Sequence, residues 1–138
     1  MSREMIFRGK RLDNNEWEYG DLVHDDRGGC YVYPLHCHAL FVENKVDSDT
    51  VCEFTGMRDK HGKKIFEGDI VEVYDFTSVY ADKYRGVVKM YRGSWCVEYE
   101  DSIFDMVLHP MLFFDDFADR KTEVIGNIYD NPELLSAK

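Results

Sequence analysis

Phe54-Thr55-Gly56-Met57-Arg58-Asp59-Lys60-His61-Gly62-Lys63-Lys64-Ile65-Phe66-Glu67-Gly68-Asp69-Ile70-Val71 packs three glycines and a charged turn ahead of an apolar strand. Asp59-Lys60-His61-Gly62 fits a tight turn, with Gly62 taking a positive φ that side chains with a Cβ resist. Glu67-Gly68-Asp69 is a second tight feature, and it feeds a strand over Ile70–Phe76. The glycine spacing is too wide for a phosphate-binding loop, and a strand follows where such a loop would need a helix. The stretch is turn chemistry, and it predicts a β-hairpin architecture.

Outward from this hairpin the chain stays β-rich. Met5–Arg8 is a short apolar run, and Trp17–Val23 alternates, with Gly20 marking a bulge or bend. Asp13-Asn14-Asn15-Glu16 between them is a hairpin-closing cluster. Asp25-Asp26-Arg27-Gly28-Gly29 reads as a turn into Cys30–Tyr33, which Pro34 ends. Ala39–Glu43 and Thr50–Phe54 are further strand candidates. Tyr84–Arg92 and Trp95–Glu100 form a hairpin across Gly93-Ser94, the second arm with the period of a half-buried strand. Met111–Ala118 is compatible with one or two helical turns, and Glu123–Tyr129 is a last strand. Asn131-Pro132-Glu133-Leu134-Leu135 predicts a short helix with Asn131 as N-cap and Pro132 at its first position.

The chain has 138 residues, of which 44% are apolar, and its nine Phe, nine Tyr and two Trp lean towards strands. Its formal charge is −10, divided into −2 over residues 1–66 and −8 over residues 67–138. Nucleic-acid binding draws most of its affinity from Lys and Arg on phosphates, so this balance opposes it. The local basic groups Arg8, Lys10, Arg11 and Lys60, Lys63, Lys64 read as solvated turn residues. No run approaches the roughly 20 apolar residues that span a bilayer, so no membrane partner is expected. Cys30, Cys37, Cys52 and Cys96 follow no disulfide framework, and they fit reduced thiols in a cytoplasm.

Three constellations invite a chemical reading. His36 and His38 of His36-Cys37-His38 would share a strand face, with Cys30, Cys52 or His24 available to complete a metal site. The paired short spacings of structural zinc are missing, so the expectation is no metal and no cofactor, and a hairpin-tip or interface cluster instead. Glu98, Glu100, Asp101, Asp105, Asp115, Asp116 and Asp119 lie in a segment, 94–119, with no Lys or Arg. They read as a solvated acidic face, an interaction surface, or an acid/base or Mg²⁺ site, in that order. No helix N-terminus or neighbouring base is visible to activate a cysteine. Within the acidic segment Ile103–Phe117 is also strongly apolar. Phe113, Phe114 and Phe117, rimmed by Asp115 and Asp116, are the candidate interaction surface, although the same residues would equally fill the core of the monomer.

Three segments together resemble the YopX family of phage and prophage proteins. They are Ile6-Phe7-Arg8-Gly9-Lys10-Arg11 with Trp17 and Tyr19-Gly20-Asp21, the Phe54–Val71 stretch, and Glu123-Val124-Ile125-Gly126-Asn127-Ile128-Tyr129-Asp130-Asn131-Pro132-Glu133-Leu134-Leu135. Met57 stands where Leu is usual, and His61 where Asn is common. The resemblance implies a mainly β protein, with an SH3-like small barrel, additional N-terminal strands of complex topology and a short C-terminal helix. The chain is then a single YopX-like domain, its N-terminal β part at about 1–50 and its barrel part at about 51–130. The resemblance also implies a homo-oligomer, for which a hexamer is one candidate size, and a phage or prophage origin. It supplies no catalytic residues. Gly56, Asp59, Gly62, Gly68, Asp69 and Gly126 read as architecture, and Trp17, Phe66, Ile70 and Val71 as core.

The functional expectation is a non-enzymatic accessory protein of the bacterial cytoplasm that acts by protein–protein contact, with itself and with a host or phage protein. The alternatives are a nucleic-acid-associated phage protein, and an enzyme with a carboxylate or His/Cys site. An SH3-like barrel favours the first of these only by analogy.

Overall fold

A computed structural model describes residues 4–34, 44–74, 83–99, 102–105 and 122–136. Among the described residues the strands are β1 (Phe7–Lys10), β2 (Trp17–His24), β3 (Cys30–Tyr33), β4 (Lys45–Val46), β5 (Cys52–Arg58), β6 (Lys64–Phe66), β7 (Asp69–Tyr74), β8 (Lys83–Tyr91), β9 (Ser94–Tyr99), β10 (Ser102–Asp105) and β11 (Thr122–Asn127). One short helix, α1 (Glu133–Ser136), follows them. The protein is mainly β, in two antiparallel sheets. Among the described residues no helix is long and apolar enough to cross a membrane. Two compact units divide the chain, Met1–Gly56 and Met57–Lys138.

In the first unit the strand order is β4-β3-β2-β1-β5. Asp25 makes the β2–β3 turn: its Oδ1 accepts the N–H groups of Arg27 and Gly29, at 2.9 and 2.7 Å. Those two donors, with Tyr31 Oη, hold the Asp25 carboxyl below its ordinary range, and the same bond raises Tyr31. Cys30, Val32 and Val46 form the core, with Leu22 and Val51 against it. Arg8 is buried at 4% exposure, its guanidinium 4.5 Å from the Trp17 ring centroid, with Lys10 Nζ over the same ring at 5.4 Å. A desolvated contact of this kind contributes on the order of 2 kcal/mol. Trp17 is half-buried, a platform for cations rather than the core residue expected. The strand expected over Thr50–Phe54 begins later, because Ser48–Thr50 is a 3₁₀ turn whose N-cap Asp47 accepts from Asp49 N.

In the second unit β5 ends beside β6, and a five-stranded sheet runs β10-β9-β8-β7-β11. Val71, Val73, Val88 and Val97 alternate inwards and meet Ile65, with Met57, Trp95 and Val124 packed around them. All five central residues are at most 1% exposed, and each contributes about 1.5–3 kcal/mol by leaving water. The sheet is open: among the described residues β10 pairs only with β9, and β11 pairs with β7 as its one strand neighbour. The closed SH3-like barrel implied by the resemblance is therefore not what the strand pairing shows. The β8–β9 turn is Arg92-Gly93, one residue earlier than expected, because Tyr91 pairs with Ser94. Their φ values of 50° and 84° make it a two-residue turn of the mirror-image type that matches strand twist.

Candidate functional site

The glycine- and Asp-containing turns singled out in the sequence converge in the second unit. Asp59 is 2% exposed and spends its carboxylate on backbone donors. Oδ1 accepts His61 N and Lys63 N at 2.9 Å each, and Oδ2 accepts Val124 N at 3.0 Å. Lys60 N donates to Thr122 O at 2.9 Å beside it. The turn therefore supplies a partner to the outer edge of β11, which a sheet edge otherwise leaves to solvent. Gly62 has φ 80°, as its turn requires.

The second turn is bonded on both sides. Asp69, 2% exposed, takes Phe66 N at 2.8 Å, and Gly68 has φ 84°. Gly68 N donates to Val88 O at 2.8 Å, and Gly68 O accepts Ile128 N at 2.9 Å. That last bond reaches the third turn, where Asn127 Oδ1 accepts Tyr129 N and Asp130 N at 3.0 and 2.9 Å. Asn131 Oδ1 takes Asn127 N at 3.3 Å, so the residue expected to cap α1 instead closes the turn before it. A Cβ on Gly126 would lie 2.6 Å from that same oxygen. Gly56 has φ 88° within β5. The motif residues thus act on the backbone.

Above these turns runs a charged row. Glu123 stands directly opposite Glu72 across β11 and β7, a like-charge pairing that would be destabilising alone. Other groups flank it on both sides: the His61 ring Nε2 and the Lys60 ammonium lie 3.0 and 3.9 Å from Glu123, and the Arg85 and Lys83 cations lie 2.9 and 3.1 Å from Glu72. Partial burial works against charge on Glu72, but hydrogen bonds from Arg85 and Lys83, and their positive charge, outweigh it and lower the pKa. A carboxylate held charged in this way is a poor general acid near neutral pH.

Of the other candidates, Cys30, Cys52 and Cys96 are buried and in no disulfide. His24 pairs across the strands with Cys30, and it is exposed. His36, Cys37 and His38 lie outside the described residues, as do Phe113, Phe114, Phe117, Asp115 and Asp116. Among the described residues no three His, Cys, Asp or Glu side chains group to hold a metal ion. The structure adds a surface that sequence reading passed over, the β8–β9 tip. Met90 and Tyr91 are 42% and 39% exposed there, and the Arg92 guanidinium stands 5.3 Å from the Tyr91 ring centroid. An Arg-Gly pair between two alternating strands was its available signal.

A family model described as YopX protein matches residues 6–136. No curated protein matches the chain. Among solved structures, protein EF1440 from Enterococcus faecalis is 28% identical, with 97% of this chain and 99% of that chain covered and a TM-score of 0.58. Protein yopX from Bacillus subtilis is 21% identical, with coverages of 96% and 97% and a TM-score of 0.59, a likeness of fold. With residues 6–136 matched by that family model, nearly its whole length, this chain belongs to the YopX family.

Proposed function

We propose that the protein is a non-enzymatic phage or prophage accessory protein of the bacterial cytoplasm, acting through protein–protein contacts as a homo-oligomer. One observation carries the reading: the motif carboxylates Asp59 and Asp69 bind backbone N–H groups, while Met90 and Tyr91 stand in solvent. Chemistry needs the reverse arrangement, with functional groups free to meet a substrate. The phage context and the homo-oligomer rest on the family resemblance, and the place of the contact on the apolar excess of Ile103–Phe117.

The experiment is a double substitution, Phe113→Asp with Phe114→Asp, read by sedimentation velocity. Loss of assembly with an unchanged circular dichroism spectrum supports the contact at Ile103–Phe117. An intact oligomer places the contact elsewhere.

A further inference from the structure

We infer that the β8–β9 hairpin tip, Met90-Tyr91-Arg92, docks onto an acidic surface of a second copy of this chain. The inference rests on the self-assembly proposed above and assigns one side of the contact.

The tip is built to project and to hold its shape. Met90 pairs with Trp95 and Tyr91 with Ser94, so the strands are in register up to the two-residue turn. Trp95 packs against the valine core and anchors the hairpin from within. Little conformational freedom remains to be lost when a partner arrives. Met, Tyr and Arg are residue types enriched at the centres of protein interfaces, and here they are adjacent and exposed.

Charge selects the occupant. Residues 83–97 hold four cations (Lys83, Arg85, Lys89, Arg92) and no carboxylate, whereas residues 98–119 hold seven carboxylates and no Lys or Arg. Lys83 and Arg85 are committed to Glu72, and Lys89 to Glu98 at 2.8 Å. Arg92 has no carboxylate partner among the described residues and covers Tyr91 instead. In a chain of net −10, such a cation at a projecting tip is complementary to the rest of the molecule's surface. Two tips face to face would set Arg92 against Arg92, so the contact is heterologous, tip to acidic surface.

The test uses the full chain in sedimentation equilibrium, as wild type, Arg92→Asn and Tyr91→Ser. Asn tolerates the positive φ at position 92, so Arg92→Asn removes the charge and keeps the turn. Arg27→Asn, on the β2–β3 turn, controls for loss of any surface cation. The expected result is an association constant weaker by about tenfold or more in each tip variant, and unchanged in the control. Raising ionic strength from about 0.1 M to about 1 M, which shortens the screening length from about 10 Å to about 3 Å, weakens wild-type assembly and leaves Arg92→Asn nearly unaffected. A wild type that assembles while both tip variants match it overturns this contact alone. A wild type that is monomeric throughout overturns the assembly and this contact with it.

Discussion

Replacing Asp59 by Asn tests the view that the family's motif is a backbone clamp. The substitution keeps the shape of the side chain and one carbonyl oxygen. If that oxygen stays at Oδ1, the bonds from His61 N and Lys63 N survive. The amide then presents N–H to Val124 N, where a carboxylate oxygen had accepted at 3.0 Å. One donor on β11 is left facing another donor in a site only 2% exposed. An orphaned buried donor costs about 1–3 kcal/mol, and loss of charge from the two remaining bonds weakens each. The expected destabilisation is about 2–4 kcal/mol, summed from those two effects. Urea unfolding followed by tryptophan fluorescence measures it, and amide hydrogen exchange should show Val124 losing protection. A change below about 0.5 kcal/mol, the size of an ordinary surface substitution, would refute the reasoning.

Other expected outcomes follow from the same geometry. Gly62→Val, with open space around the added Cβ but φ at 80°, should cost about 1–3 kcal/mol through backbone strain in a thermal melt; an unchanged Tm contradicts it. Glu72 has a lowered pKa, so its stabilising contribution is present above the ordinary glutamate value of about 4.3 and is lost as pH falls through the lower folded value. Acid unfolding of Glu72→Gln should therefore be less steep in that range than that of wild type, and identical curves would remove the row's importance. Elemental analysis should find no stoichiometric metal; one zinc per chain would point to His36-Cys37-His38. Duplex DNA should bind weakly or not at all at physiological salt, and a salt-dependent sub-micromolar affinity would favour the nucleic-acid reading.

The hairpin at Asp59–Gly62 was legible because its information is local: a turn acid, a polar tip and a glycine within four residues. The reach of Asp59 to Val124 was not, since the partners stand 65 positions apart and a buried turn carboxylate has the same sequence as a solvated one. Asn131 shows the same limit. Asn-Pro-Glu is a sound helix start, yet the oxygen that would cap the helix closes the preceding turn, in space that Gly126 leaves open by having no Cβ. The β8–β9 turn falls one residue before the Gly-Ser pair that the sequence offers, because Gly-Ser is an ordinary loop pair and Arg92 is an unusual residue at positive φ. Trp17 reads as core as one of the motif residues, but in the first unit it is only half-buried, with two cations across its ring.

Light scattering coupled to size-exclusion chromatography, across micromolar concentrations, tests the central claim most directly. Assembly predicts a mass of two or more chains of 16.3 kDa. A constant mass of one chain at every concentration would contradict it.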